Sequence, residues 1–339
     1  MNYLYLVVGF VLITLILRDI VLTALSLQGG GMVTNFISSR FWKLLLKISE
    51  VLNNKKLLNH AGYLILLVVL LVWVIALWLG FFLIFLFGAD AVVTSSTHAP
   101  VQGFKLFYFV GYTLSTLGSG EYIPASDVWR LLANIVSFTG LIFITVSITY
   151  FVPILSAVIL QEGIGVFINS LGKSPEDIII NGWNGKNFDR LLNRLSNVYQ
   201  KLIQHTQNYQ AYPVVFYFRA GDANRSIVVN LAKLNEALGL LKHVVKQEFS
   251  PDDKELLTLE DTLDFYTRIA SNYNLLEQHP LPESDLQKLR NSGIPIDTEK
   301  AKLFFESDQE FVNRRKVFAN ILLGSGWSWQ EVYCTQERN

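Results

Sequence analysis

Thr113-Leu114-Ser115-Thr116-Leu117-Gly118-Ser119-Gly120-Glu121 lies in a polar interval between two long apolar segments. Two glycines one residue apart, preceded by hydroxyl residues and followed by an acid, suit a backbone that must turn successive carbonyls the same way. Gly118 and Gly120 tolerate the left-handed angles that other L-residues resist. A loop of this kind replaces the hydration shell of a cation with carbonyl oxygens, and the Thr116 hydroxyl extends the ladder by one position. The preceding segment, Phe104 to Ser115, is too short to cross a bilayer at about 1.5 Å per residue, so it must enter and return.

The flanks sharpen this reading. Phe107-Tyr108-Phe109 and the hydroxyls of Thr113, Ser115 and Thr116 precede the glycines, Trp129-Arg130-Leu131 follows them, and Gly140 stands ten residues beyond Arg130. With these flanks the stretch resembles the pore loop of tetrameric potassium channels, whose filter usually reads Thr-Val-Gly-Tyr-Gly-Asp. The resemblance covers roughly residues 60 to 165. It implies that Thr116, Leu117, Gly118, Ser119 and Gly120 bind permeant potassium, that Tyr108, Phe109, Thr113 and Trp129 support them, and that Gly140 is a hinge of the inner helix. Glu121 and Asp127 would charge the outer mouth, or hydrogen-bond the loop behind the filter. A homotetramer is implied, because one loop cannot encircle an ion. Ser119 departs from the family pattern by replacing Tyr. It is too short to pack sideways on Tyr108 or Phe109, which leaves a gap unless a neighbour such as Tyr122 fills it. The expectation is potassium permeation with weaker exclusion of sodium than is usual for the family.

Hydrophobic residues make up 51% of the chain and charged residues 17%, the composition of a membrane protein with a soluble portion. The formal net charge is zero, but residues 1–160 hold 8 Lys+Arg and 5 Asp+Glu, against 20 and 23 from residue 161 onward. The water-exposed part is therefore the C-terminal half, and neither half is basic enough to point to nucleic acid. Cys334 is the only cysteine, so the chain has no internal disulfide framework and no cysteine metal site.

Four regions follow in order. Residues 1–28 read as an N-terminal transmembrane helix, and a cleavable signal peptide is disfavoured by the length of the segment and the lack of a preceding cation. Within it, Arg18 and Asp19 are expected to snorkel as an interfacial pair; the alternative is a buried contact that fixes the helix to the pore. Residues 29–62 carry Arg40, Lys43, Lys47, Lys55 and Lys56 against Glu50 alone, which makes them a cytoplasmic amphipathic linker at the inner surface and puts the N-terminus outside. Residues 63–165 form the pore domain, with an outer helix from Tyr63 to Phe87, a polar outer loop at 88–103, the pore loop, and a charge-free run from Leu131 to Leu160. That run exceeds the roughly 20 residues a span needs, which implies tilt or bending. Gly140 and Pro153 are where a bend has a chemical cause, and Gly163 and Gly165 offer a flexible exit; these four positions are the candidate gating hinges. Asn134, Ser137, Thr145, Ser147 and Thr149 either face a wet cavity or bond between helices.

Residues 166–339 change to the periodicity of soluble amphipathic helices. Phe188, Leu191, Leu192, Leu195, Tyr199 and Leu202 share one face, as do Ile227, Leu231, Leu234, Leu238, Leu241 and Val245. A start signal at Ser250-Pro251-Asp252-Asp253 opens a helix through Leu256, Leu259, Leu263, Tyr266 and Tyr273. A last helix is expected from about Glu299 to Leu323, with Trp327 and Trp329 folding back. Tyr212 to Phe218 reads as helix after Pro213. The fold class is thus an all-α membrane protein: three transmembrane helices with a re-entrant pore helix and filter loop, then a soluble helical bundle. Its expected location is the plasma membrane, the inner membrane of a cell, with the bundle in the cytoplasm.

No His-Glu-x-x-His, G-x-x-x-x-G-K-[ST], G-x-S-x-G or strand-linked G-x-G-x-x-G motif is present, so catalysis is not expected and no cofactor is implied beyond permeant potassium and sodium. Asp252, Asp253, Glu255, Glu260, Asp261 and Asp264 read as capping residues and an Asp264–Arg268 pair ahead of a divalent-cation site. Arg219-Ala220-Gly221-Asp222 with Arg225 reads as a solvated turn ahead of an anion site. Two functions remain open. One is a cation channel regulated by an unknown cytoplasmic ligand or partner of the helical domain. The other is a non-conducting membrane receptor or scaffold that has kept the pore fold.

Overall fold

The computed structural model describes residues 3–27, 29–251, 253–271, 281–297 and 308–333. It divides into two units, Met1–Phe41 with Tyr63–Ile154, and Trp42–Gly62 with Leu155–Asn339. Three helices, Tyr3–Leu25, Lys55–Phe87 and Asp127–Leu171, are long and apolar enough to cross a membrane. The protein is an all-α integral membrane protein with a helical C-terminal region.

In the first unit, α1 (Tyr3–Leu25) lies against α3 (Ala61–Phe87). A Cβ on Gly9 would collide with the Gly80 carbonyl, and one on Gly80 with the Ile13 side chain, so small residues set the closeness of this crossing. The buried face of α1 runs through Gly9, Ile13, Ile16, Ile20 and Thr23, and Asp19 shares it. Arg18, one residue away, is exposed. The snorkelling pair expected at 18–19 is therefore corrected: neighbouring residues on a helix point about 100° apart, and Asp19 takes the inward side. The chain then doubles back, so that α2 (Met32–Val51) begins beside α1. The Asp19 carboxylate accepts from Val33 N (2.8 Å), Thr34 Oγ1 (2.6 Å) and Trp73 Nε1 (2.9 Å). An anion from one helix thus satisfies the orphan donors at the start of the next.

The outer loop contains a short strand, β1 (Val92–Thr94), antiparallel to β2 (Tyr122–Pro124), with Val93 opposite Ile123. This ribbon anchors the exit of the glycine loop. Between its strands runs α4 (Phe104–Leu114). Next comes α5 (Asp127–Leu171), which continues without a break through Gly140, Pro153, Gly163 and Gly165. The loose exit expected at 161–165 is instead helix.

In the second unit, α6 (Pro175–Gly182), α9 (Asp253–Ser271), α11 (Gln309–Gly324) and α12 (Trp329–Tyr333) pack against α8 (Ile227–His243), with α7 (Asp189–Ala211) against α9 and α6, and α10 (Leu286–Asn291) against α6. Pro213–Tyr217 forms a 3-10 turn rather than α-helix. Every residue of α8 from Ile227 to Leu241 is buried, so it is the axis of the bundle and not an amphipathic surface helix. Burial on all sides demands partners for its polar groups. Lys233 Nζ donates to Asn169 Oδ1 and Asn230 Oδ1, both at 3.1 Å, while Glu236 accepts from Arg315 Nε (2.9 Å) and the Tyr333 hydroxyl (2.6 Å). Asp264 pairs with Arg314 at 3.2 Å, and Arg314 also meets Glu260. The expected Asp264–Arg268 pair is therefore replaced by a tertiary one. The stretch 299–307 at the start of the expected last helix, together with Asp252 and Tyr273, lies outside the described residues.

Candidate functional site

Helix α4 ends in a tight turn: Thr116 N donates to Thr113 O (3.1 Å) and Leu117 N to Tyr112 O (2.9 Å). From there φ is positive at every second residue. Thr116 (+60°), Gly118 (+58°) and Gly120 (+74°) are left-handed, while Leu117 and Ser119 are not. A β-branched residue at positive φ costs on the order of 1–2 kcal/mol, so Thr116 is held there against its own preference. Residues 115–121 are all exposed in the single chain, and a Cβ on Gly118 or Gly120 would meet nothing within 4 Å. Backbone angle rather than crowding requires glycine at 118 and 120.

Behind the loop stands a group of rings in which the sequence pattern singled out Tyr108, Phe109 and Tyr122 but not Tyr112. Tyr112, on α4, donates from its hydroxyl to Tyr122 O at 2.6 Å and lies within hydrogen-bonding reach of the Ser119 side chain. It packs edge-on against Tyr108 and Phe109, each at 5.3 Å between ring centres, and Tyr108 meets Tyr122 at 6.4 Å. The gap expected beside Ser119 is therefore occupied by Tyr112, with Tyr122 completing the cluster. Its position four residues after Tyr108, on the same helix face, was the available signal. Phe109 is buried and faces Phe85 on α3, and Trp129 also meets Phe85 in a tilted contact at 5.4 Å. Thr113 returns its hydroxyl to Phe109 O. Asp127, fully solvated, pairs with Arg130 at 3.0 Å, while the Glu121 backbone carbonyl accepts from Ser95 N.

Gly140 is where α5 and the end of α4 meet, since a Cβ there would strike the Leu114 carbonyl. Pro153 sits one residue before the end of the first unit. Beneath the loop an apolar cavity of about 440 Å³ is walled by Trp78, Tyr112, Leu117, Gly140 and Phe143 among others. One face of α5 is left uncovered at alternating spacings of four and three through Leu131, Ile135, Phe138, Ile142, Thr145, Thr149 and Val152. The hydroxyls of Thr145, Ser147 and Thr149 return to carbonyls four residues back, so they bond within α5 instead of between helices.

Residues 65–157 match the family model described as "Ion channel". Over 330 residues the chain is 32% identical to a Bacillus subtilis (strain 168) protein named "Uncharacterized membrane protein YdjJ", an alignment covering 96% of this chain and 93% of that one. This chain belongs to the YdjJ family of membrane proteins. No solved structure matches it. The likeness to YdjJ runs almost end to end, so it takes in the residues of the helical bundle as well as the ion-channel segment.

In this YdjJ family member the loop from Phe218 to Ser226 grips the C-terminal part of α5 within the second unit. Gln161 Nε2 donates to Phe218 O at 2.8 Å, Glu162 pairs with Arg225, and Gly165 lets the Arg225 carbonyl sit against the helix. Gly163 has open space around it. Arg219 donates to Asn59 Oδ1 (2.6 Å) and Ser325 O (3.2 Å) and lies 3.7 Å from the ring centre of Trp327. Burial lowers its pKa to about 10. Arg219 and Ala220 are thus a bonded junction, while Gly221, Asp222, Asn224 and Arg225 stay exposed, as in the solvated turn expected from sequence.

Proposed function

We propose that four copies of this chain surround one axis as a cation channel, with Thr116 to Gly120 of each copy coordinating potassium. The supporting observation is the alternation of φ at 116, 118 and 120. In an extended chain successive carbonyls point to opposite sides, and alternating handedness from one residue to the next turns them to the same side, where they replace hydration water. A pore built from four chains also accounts for a loop exposed in one chain and for the uncovered stripe of α5, whose spacing is that of helix-to-helix seams. Discrimination against sodium rests on the stiffness supplied by Tyr112, Tyr108 and Tyr122 rather than on residue 119. The cations of residues 29–62 favour an N-terminus outside and a cytoplasmic bundle. The bundle biases the inner helix through the Phe218–Ser226 grip on Gln161, Glu162 and Gly165.

Reversal potentials of the reconstituted protein under opposed potassium and sodium gradients test this reading. The expected value lies close to the potassium equilibrium potential, and Tyr112→Phe moves it towards zero. A wild type that passes both ions equally overturns the selectivity, and a complex whose mass is not four chains overturns the assembly. For the bundle, Glu162→Arg and Arg225→Glu should each change open probability, with the double exchange restoring it.

A further inference from the structure

The α2 helix presents an inverted pattern. Its buried side is Thr34, Ser38, Trp42, Leu45 and Ser49, largely small and polar. Its opposite side carries Phe36, Arg40, Lys43 and Lys47, at spacings of four, three and four, and all are exposed. Large apolar side chains stand beside these cations in water-accessible positions: Met32 is 84% exposed, Phe36 60% and Val51 78%. The Arg40 guanidinium lies over the Phe36 ring at 5.1 Å, and among the described residues no carboxylate pairs with Arg40, Lys43 or Lys47. Because α2 is one uninterrupted helix, this stripe follows from helix geometry alone.

We infer that the stripe is a binding surface for the anionic phospholipid headgroups of the membrane that holds this protein. Two observations choose that occupant. First, charge and apolarity alternate along the stripe: cations on long stems reach phosphate while Met32, Phe36 and Val51 enter the acyl layer, a division of labour that a solvated face or an acidic protein surface does not call for. Second, the helix is tied at both ends to spanning segments. Its first turn is bonded to Asp19 of a spanning helix, and the next span begins at Lys55, four residues after its last turn ends at Val51. At no more than about 3.6 Å per residue that connection keeps the end of α2 close to a spanning segment. The inference rests on the membrane location and not on conduction.

The test uses the full-length protein in neutral detergent, with the thermal unfolding midpoint followed while phosphatidylglycerol or phosphatidylcholine is added. The expected result is a larger rise with phosphatidylglycerol that salt weakens. Arg40→Gln/Lys43→Gln/Lys47→Gln should raise the half-saturating phosphatidylglycerol concentration on the order of a hundredfold while leaving the midpoint in phosphatidylcholine unchanged. Arg190→Gln/Arg194→Gln/Lys201→Gln, on α7, should keep the preference. Equal response to the two lipids, retention of the preference by the first variant, or its loss in the second would overturn the assignment. A preference for an acidic protein, lost in the first variant without any lipid effect, would give the stripe to that partner instead.

Discussion

The loop at 115–121 and helix α8 stand at opposite extremes of one chain. The loop is exposed throughout, holds three left-handed residues, and has empty space around both glycines. Helix α8 is buried from Ile227 to Leu241 and has each of its charged groups bonded. An element completed inside its own chain should register in stability. An element awaiting other copies should register in conduction and hardly in stability. Substitutions of similar size in the two regions should therefore separate cleanly between the two readouts.

The largest effect is expected at α8. Glu236→Ala leaves the Arg315 guanidinium, which is 3% exposed on its side chain, without its carboxylate, and breaking a buried pair costs about 3–5 kcal/mol. Denaturant unfolding of the purified protein measures it. A loss under about 1 kcal/mol accompanied by altered selectivity would break the contrast between the regions.

Next is an acid effect at His205. Its ring is fully buried between Tyr209 and Tyr266, and burial pulls its pKa down to about 4. A histidine depressed in the folded state favours the neutral form. Its contribution is therefore complete above the unfolded pKa of about 6.5 and is lost as pH falls towards 4. Stability should drop by on the order of 3 kcal/mol across that window, and His205→Leu should flatten the profile. A bundle whose acid sensitivity is the same with and without the imidazole would remove His205 from this account. Glu236 moves the opposite way, since burial raises its pKa against the pull of Arg315 and Tyr333.

A smaller effect is expected behind the loop. Tyr112→Phe removes the hydroxyl that bonds Tyr122 O, worth about 1 kcal/mol in unfolding, yet it should raise sodium permeability measurably. A large stability loss with an unchanged permeability ratio would make Tyr112 an ordinary core residue.

Much of this architecture was legible from residue chemistry. The charge-free run from Tyr63 to Phe87 admits only a spanning helix, and the glycines at 118 and 120 announce the left-handed positions found there. What escaped was the information carried by distant partners. Asn230, Lys233 and Glu236 interrupt an apolar face and look solvated until Asn169 and Arg315, far along the chain, are brought to them. Asp19 could not be placed on the inside before α2 was seen to double back and supply donors. Gly165 was read as freedom, but in the folded chain it provides closeness, because the Arg225 carbonyl occupies the room its missing side chain leaves.

The most direct test pairs wild type with Gly118→Ala. Alanine at φ +58° meets no neighbour within 4 Å, so its cost to the single chain is limited to about 1 kcal/mol of backbone strain. Potassium flux into vesicles reconstituted with each protein, measured beside their unfolding midpoints, should show conduction by the wild type, its loss in the variant, and nearly equal midpoints. A folded wild type that passes no cation, or a variant that conducts as well as the wild type, would contradict the assignment of Thr116 to Gly120 as the ion path.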